Sequence, residues 1–254
     1  MGSNDWWGIT YGNGKYVITG QNGSIAYSTD GINWTIKTVG SLYWYSVTYG
    51  NNMFITVGQQ GSIAYSTDGI NWTTKTIGNN AWDSVTYGNG KYVVTGQNGW
   101  ITYSTDGINW TTKAVGNKAW LGVTYGNNMF ITVGEDGNIA CSTDGINWTA
   151  RTVGSGSLYW YRVAYGNGKF VAVGQQTSIA YSTDGINWYL KQQTDKKETY
   201  CIDFCSSKFV AVKNGTTITS EDGIIWANYK EITNENGNSI NVKETGLHNI
   251  CTRL

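Results

Sequence analysis

The chain has 254 residues and carries 17 basic against 17 acidic side chains, so its formal net charge at neutral pH is zero. Charged residues make up only 13% of the sequence, which argues against the basic surface that a nucleic-acid-binding protein needs. Apolar residues make up 40% and tryptophan occurs 13 times, which excludes a disordered chain. No run of 18 apolar residues occurs, and we therefore expect no insertion into a membrane.

Four short strands are predicted within the first 40 residues. The segments 6–11, 15–19, 24–28 and 34–38 are rich in Tyr, Val, Ile, Thr and Trp, the residue types that β-strands favour. Glycine-containing pairs and triplets separate them, among them Gly12-Asn13-Gly14 and Asp30-Gly31, which are typical of tight hairpin turns. The sequence therefore predicts a four-stranded antiparallel unit.

This unit is repeated along the chain. The segment Tyr-Ser-Thr-Asp-Gly-Ile-Asn-Trp at residues 27–34 returns at 65–72, 103–110, 141–148 and 181–188, with small changes, and in a more divergent form at 219–226. Its last residue gives a series separated by 38, 38, 38, 40 and 38 positions: Trp34, Trp72, Trp110, Trp148, Trp188 and Trp226. Six units of this length fill the chain up to about residue 233.

A four-stranded unit repeated six times predicts an all-β fold, a six-bladed β-propeller of four-stranded antiparallel blades over residues 1–233. A linear stack of such blades would expose an apolar face at each end, whereas a ring buries both faces of every blade. Residues 234–254 contain Ile240, Val242, Leu247 and Ile250, which are too apolar for a solvated tail. We predict that this C-terminal segment closes the ring by packing on the propeller.

The motif Ser28-x-Asp30-Gly31-x-x-Trp34 resembles the Asp-box, or BNR-like repeat, of sialidases, sortilin-like receptors and plant photosystem assembly propellers. The resemblance recurs in register at all six units, although the usual pattern has one more residue between Asp and Gly. It implies that the motif lies between the third and fourth strands, away from the active face. The whole unit is also similar to repeats of bacterial surface and phage tail proteins, which implies an extracellular, cell-surface or virion-associated location. Residues 1–5 show no signal peptide.

The repeated aspartates are interpreted as structural rather than catalytic. A catalytic group is needed once, whereas this residue occurs in every unit, and Asp before Gly holds a tight turn through its own side chain. A sialidase-like site would need three convergent arginines, and the only three present are dispersed: Arg151, Arg162 and Arg253. The non-repeating acids, such as Asp83 and Glu135, show no pairing that predicts a glycosidase. We therefore expect no enzymatic activity.

Metal ions and cofactors are not expected either. The single histidine, His248, excludes a multi-histidine site, and the four cysteines lack the spacing of zinc ligands. Cys201 and Cys205 would lie about 13 Å apart on one strand, which is beyond the reach of a disulfide bond. All four cysteines are interpreted as free thiols: Cys141, Cys201, Cys205 and Cys251.

Candidate binding residues are predicted at the end of each blade opposite the Asp-Gly turn. Five units begin their first strand with tryptophan, and the loop between the second and third strands, which lies at the same end, carries glutamine in four units. We predict that these side chains form an exposed rim, joined by one further tryptophan: Trp6, Trp44, Trp82, Trp120 and Trp160 with Gln21, Gln59, Gln97, Gln175 and Trp100.

Such a rim is typical of carbohydrate binding, because an indole covers the apolar face of a sugar and an amide pairs with its hydroxyls. The sequence thus favours a multivalent, lectin-like propeller that binds a glycan or cell-surface polysaccharide in an adhesion or phage-tail apparatus. The alternative is a structural propeller or one that binds a protein partner. The first reading requires that the first-strand tryptophans be partly exposed and the Asp-Gly-turn tryptophans be buried.

Overall fold

The computed structural model describes residues 5–191, 198–213 and 216–231. It contains six separate four-stranded sheets, each antiparallel and ordered as its strands follow one another in the sequence. The predicted six-bladed β-propeller is therefore confirmed. Among the described residues the only helical segments are four 3₁₀ turns between second and third strands. The predicted closing segment 234–254 lies outside the described residues.

Each blade contributes one strand to each of four concentric layers. The innermost strands are β1 (Trp6–Gly12), β5 (Trp44–Gly50), β9 (Trp82–Gly88), β13 (Trp120–Gly126), β17 (Trp160–Gly166) and β21 (Thr199–Cys205). The second strands are β2 (Lys15–Gly20), β6 (Met53–Gly58), β10 (Lys91–Gly96), β14 (Met129–Gly134), β18 (Lys169–Gly174) and β22 (Lys208–Lys213). The third strands are β3 (Ser24–Ser28), β7 (Ser62–Ser66), β11 (Trp100–Ser104), β15 (Asn138–Ser142), β19 (Ile179–Ser182) and β23 (Thr216–Ser220). The outer strands are β4 (Thr35–Thr38), β8 (Thr73–Thr76), β12 (Thr111–Ala114), β16 (Thr149–Thr152), β20 (Tyr189–Lys191) and β24 (Ala227–Glu231).

The core lies in the seams between neighbouring blades. Between blades one and two, Val17 and Ile25 of the first blade pack against Trp44, Val47 and Phe54 of the second. All five side chains are buried, and the equivalent positions form the next seams along the ring. Because both faces of a blade are covered in this way, apolar residues occupy consecutive positions of the central strands rather than alternating with polar ones.

One glycine in each of the first five blades allows the inner strands to approach closely. A Cβ atom on Gly50 would lie 2.2 Å from the ring of Tyr87 in the next blade, and one on Gly12 would lie 2.0 Å from Tyr49. The same contact joins Gly88 to Tyr125, Gly126 to Tyr165 and Gly166 to Phe204. Any larger residue at these positions would push the next blade away.

The Asp-Gly turns are held by the side chain of their own aspartate, as expected from the sequence. One carboxylate oxygen of Asp30 accepts hydrogen bonds from the amides of Ile32 and Asn33 at 2.9 and 2.8 Å, and Ser28 Oγ donates to it at 2.9 Å. These bonds, led by the one from the Asn33 amide, hold the pKa of Asp30 well below its usual range. Gly31 takes a φ of 74°, which glycine adopts without strain.

The cysteine prediction is partly wrong. Cys141 and Cys201 are free thiols, whereas Cys205 is disulfide-bonded. Cys201 and Cys205 do not pair with each other, in agreement with their spacing along β21. Cys251 lies outside the described residues.

Candidate functional site

The first-strand tryptophans do not form an exposed rim. Trp44, Trp82 and Trp120 are 1–2% exposed and Trp160 is fully buried, and only Trp6, at the edge of blade one, is half-buried. The indole N–H of Trp44 donates to the carbonyl of Val39 at 2.9 Å, and Trp82, Trp120 and Trp160 make the same type of bond. These residues plug the seams between blades, and the prediction that they are available to a ligand is wrong.

The second half of that prediction is wrong as well, because the six tryptophans of the Asp-Gly turns are half-buried rather than buried. Trp34 illustrates why. Its indole N–H donates to the carbonyl of Gly31 at 3.0 Å, and its ring lies 6.4 Å from that of Tyr16, measured between centroids. The side chain thus lies against the end of its own blade and leaves one edge in solvent.

The glutamines at the rim support the backbone. The amide N–H of Gln59 donates to the carbonyl of Tyr43 at 3.1 Å, and the N–H of Tyr43 donates to Gln59 Oε1 at 3.3 Å. The backbone half of this pair recurs at Gln21, Gln97 and Gln175, whose amides donate to Asp5, Ala81 and Tyr159. Trp100 is half-buried and packs on the seam between blades two and three. With four of the five first-strand tryptophans buried, these side chains do not form the exposed rim that the sequence predicts.

The residues that do converge are those that directly follow the first-strand tryptophan. The register of the inner strand is interrupted there: Trp44 pairs with Gly58 and Ser46 with Val57, so that Tyr45 is left over in a β-bulge. The equivalent positions of the six blades are Trp7, Tyr45, Asp83, Leu121, Tyr161 and Tyr200. We call this set the mouth ring. It lies on the innermost strands, at the end of the propeller axis where these strands begin.

Aromatic contacts connect the mouth ring between neighbouring blades. The ring of Trp7 lies 5.2 Å from that of Tyr43 and 5.5 Å from that of Tyr45. On the opposite side, Tyr161 stacks on Tyr200 with 5.9 Å between centroids and 19° between planes. The four tyrosines are half-buried and Trp7 is buried beneath its neighbours, so that the mouth presents aromatic edges and faces to solvent.

Polar groups hold these tyrosines in place. The Tyr161 hydroxyl donates to Glu198 Oε2 at 3.4 Å and also pairs with the side chain of Gln175. Tyr45 pairs in the same way with Gln59. Burial raises the pKa of Tyr161 to about 12 and raises that of Tyr45 as well, so both hydroxyls keep their protons at neutral pH.

The mouth also contains an electrostatic group that spans three blades. Burial raises the pKa of Asp83 to about 7, although Arg162 two blades away lowers it, while Glu135 raises it further. The Arg162 guanidinium donates to the carbonyls of Leu121 and Tyr161 at 2.5 and 2.6 Å. Asp83 Oδ2 is buried and has no hydrogen-bond partner in the part of the chain that the structure describes. A buried acceptor of this kind costs about 1–3 kcal/mol, so it is typical of a position kept for binding.

The mouth ring is recognisable in the sequence as the position at which the repeats differ from one another. Between near-identical repeats, most positions carry the same or a similar residue, whereas the position after the first-strand tryptophan reads Trp, Tyr, Asp, Leu, Tyr and Tyr. A position that serves only the blade has no reason to differ in this way. From the sequence, Asp83 and Glu135 are candidates only for glycosidase acids, and Arg162 only for a sialidase-like arginine.

Neither a metal-binding cluster nor a membrane-spanning helix is found among the described residues. No three His, Cys, Asp or Glu side chains among them are grouped so that they could hold a metal ion. Within the same ranges, no helix has the length and apolar character needed to span a membrane.

The fold and the mouth ring define a β-propeller with one non-repeating site at the axis. Neither a family model nor a curated protein matches the chain. Among solved structures it is similar to virginiamycin B lyase from Staphylococcus aureus, with a TM-score of 0.83 and 16% identity over 98% of this chain and 88% of the other. It is also similar to YCF48 bound to D1 peptide (TM-score 0.70, 16% identity, 88% and 80% covered) and to the WD40 propeller of Doa1 (0.71, 13%, 91% and 83%). These likenesses show the fold.

Proposed function

We propose that this chain is a non-enzymatic binding propeller that holds a peptide segment of a partner protein at the mouth ring. The observation that carries the proposal is the concentration of non-repeating aromatic and charged side chains at one end of the axis. Tyr, Trp and Arg are the residues that dominate the binding energy of protein interfaces. Here they come from different blades and are held in place by hydrogen bonds before any partner arrives.

The charges of the mouth indicate the chemistry of the segment. Three carboxyl groups, those of Asp83, Glu135 and Glu198, lie at the mouth with the guanidinium of Arg162. The ion pair of Lys118 with Asp136 lies beside Glu135 and adds one charge of each sign. A lysine or arginine side chain of the partner would be attracted by this excess of acids. It would also lie against the tyrosine rings, which stabilise a cation by about 0.5–2 kcal/mol. We therefore propose a segment with one basic residue flanked by apolar ones.

The similar structures give two further grounds. YCF48, a propeller of like fold, is described as bound to a D1 peptide, so this architecture supports binding of that kind. The virginiamycin B lyase is catalytically inactive in a histidine-to-alanine variant, whereas the one histidine of this chain, His248, lies outside the described residues. The described residues of the mouth include no histidine, so they offer no counterpart to the histidine of that enzyme, which supports a binding role.

Carbohydrate binding is the second candidate, and one observation still favours it. Tyr43 and Tyr45 form with Trp7 a cluster of rings of the type on which sugars stack. It would be a single site at the axis rather than the five- or sixfold rim expected from the sequence. An extracellular or cell-surface location is proposed with either candidate, because a disulfide at Cys205 persists in oxidising surroundings.

The test is to probe the full chain on a random peptide array and on a glycan array, and then to measure the dissociation constant of the best ligand. We expect basic, aromatic peptides to bind, and we expect Tyr45→Ala and Tyr161→Ala each to weaken binding about tenfold or more. Tyr189→Ala is the matched control, since Tyr189 is 59% exposed on the outer strand of blade five. Glycan binding without peptide binding, or an equal loss in the control, would contradict the proposal.

A further inference from the structure

A cleft opens at the outer edge of the propeller, between blades four and five. Its volume is about 450 Å³, which lies within the range of small-molecule sites in proteins. Blade four contributes Arg151 and Val153, and blade five contributes Ile186, Trp188 and Leu190. These residues lie on or next to the outer strands β16 and β20, so the cleft is separate from the mouth ring, which lies on the innermost strands.

The repeats differ from one another at this cleft, as they do at the mouth ring. Arg151 stands where blades one, two, three and five have lysine, and Leu190 stands where the first four blades have Ile, Thr, Thr and Ala. The loop after β16 is also two residues longer than its counterparts. The indole N–H of Trp160 donates to a carbonyl seven residues earlier, whereas that of Trp44 donates to one five residues earlier. The blade itself does not require these changes, because its neighbours fold without them.

Arg151 brings an uncompensated positive charge to the cleft. Its Nη1 donates to the carbonyl of Ile186 across the seam, as the Lys75 ammonium does to Ile108 between blades two and three. Within the described chain, Nη2 donates only to the sulfur of Cys141 at 3.8 Å, and a thiol is a weak acceptor. Among the same residues, no carboxylate forms an ion pair with Arg151. The arginine therefore keeps the link that lysine makes in other blades and has N–H groups left for an anion.

The other walls of the cleft are apolar. Ile186 is 44% exposed and Leu190 is 40% exposed. Trp188 is half-buried, and its indole N–H is already bonded to the carbonyl of Gly185 at 3.2 Å, so its ring offers apolar surface. Two aliphatic side chains and one indole cover far less than the roughly 800 Å² that each partner buries in a protein–protein interface. A surface of this size suits one small molecule.

Only one face of β20 borders the cleft with its side chains. Leu190 pairs with Ala180 of β19, and Ala180 packs in the seam with blade four. Because successive residues of a strand point to opposite faces, Tyr189 points the other way, where its ring stacks on Tyr181 with 5.4 Å between centroids. The side chain of Tyr189 is therefore not part of the cleft.

We propose that this cleft binds a small molecule that combines a carboxylate with one aromatic or branched aliphatic group. The carboxylate accepts hydrogen bonds from the terminal nitrogens of Arg151, and the apolar group lies against Trp188 and Leu190. An unpaired guanidinium at one side of an apolar cleft selects an anion with an apolar body. This proposal is independent of the proposed function, which concerns a basic peptide at another site.

The first experiment follows the binding of 4-fluorophenylacetate to the full chain by fluorine NMR, with 4-fluorophenylacetamide as the uncharged counterpart. We expect the acid to bind with a dissociation constant of about 1 mM, as its small size implies. We expect the amide to bind about tenfold more weakly, because it lacks the charge that pairs with Arg151. Equal binding of the two compounds, or no binding of the acid up to about 10 mM, would overturn the proposal.

The second experiment locates the binding with variants that the repeat itself shows to be compatible with folding. Arg151→Lys and Leu190→Thr each introduce the residue that blade two carries at the same position. We expect each to weaken binding of the acid about tenfold, through the lost planar donor group and the lost apolar contact respectively. Ile36→Thr is the matched control, because Ile36 occupies the position of Leu190 in blade one and is 44% exposed. Unchanged binding in either cleft variant, or an equal loss in the control, would overturn the proposal.

The oligomeric state tests the other occupant of such a surface, a second copy of this chain. We expect the sedimentation coefficient of the wild type to be independent of protein concentration. A coefficient that rises with concentration in the wild type but not in Leu190→Thr would show that a second copy covers the cleft, and would overturn the proposal.

Discussion

Asp83 offers the sharpest test of the electrostatics of the mouth. Its pKa is about 7 in the folded protein, against 3.8 in its ordinary state, and the main cause is burial. Because this pKa is raised on folding, the carboxyl group costs the folded state nothing below pH 4, where it is protonated in both the folded and the unfolded chain. Stability is then lost as the pH rises, because the unfolded chain releases the proton first. The loss is complete once the pH exceeds the folded pKa of about 7.

The magnitude follows from the two pKa values. At pH 5 the carboxyl group destabilises the fold by about 2 kcal/mol, and at pH 8 by about 4 kcal/mol. Asp83→Asn keeps the shape of the side chain and removes the ionisation. We therefore expect the difference in free energy of unfolding between the variant and the wild type to increase, in favour of the variant, by roughly 2–3 kcal/mol from pH 5 to pH 8.

The assay is chemical unfolding in urea at pH 5, 6, 7 and 8, followed by tryptophan fluorescence. Any pH-independent packing cost of the amide shifts the variant equally at every pH and cancels in the comparison, and the attraction between Arg162 and the ionised carboxylate is already contained in the folded pKa of Asp83. Glu221→Gln is the control, because Glu221 lies on the surface in an exposed ion pair with Lys208. Parallel pH profiles for Asp83→Asn and the wild type would refute the argument that Asp83 is buried and titrates near neutrality.

Three further predictions concern the seams and the mouth. Trp82→Ala should lower the free energy of unfolding by about 3–5 kcal/mol in urea titrations, because it leaves a cavity in a closed seam; a cost under 1 kcal/mol would restore the idea of an exposed rim. Gly50→Ala should cost about 1–3 kcal/mol, since the added methyl group overlaps the ring of Tyr87. The same change at Gly156, which has open space around it and, like Gly50, no positive φ, gives the backbone contribution alone. Binding of a basic peptide should strengthen as the pH rises from 6 to 8 and Asp83 ionises, and fluorescence polarisation with Asp83→Asn should show this pH dependence abolished.

The architecture could be predicted from the sequence because the information is local and repeated. Each strand is short and marked by β-branched and aromatic residues, and each turn is marked by glycine. A turn such as the one at Asp30 is held by hydrogen bonds between residues two or three positions apart. Because the same pattern occurs six times in register, the prediction is stronger than one copy would allow. A closed ring is then the arrangement that buries both faces of every blade. The structural role of the repeated aspartates followed from the same local reasoning.

The direction of individual side chains could not be predicted, because it depends on the bulge and on the neighbouring blade. Trp44 and Tyr45 are adjacent aromatic residues on the same strand, and nothing in their spacing says which one fills the seam. The register shift in β5 turns Trp44 towards Val17 and Ile25 of blade one and leaves Tyr45 at the axis. From the sequence we predict an exposed Trp44 and assign no role to Tyr45.

The pairing of residues far apart in the chain was decided only by the tertiary structure. Asp83 and Arg162 are separated by two repeats, and they interact because the ring brings the starts of all inner strands to one axis. The sequence by itself determined what each blade is made of. Closure of the ring determined which residues of different blades meet, because those contacts depend on distances that no local pattern encodes.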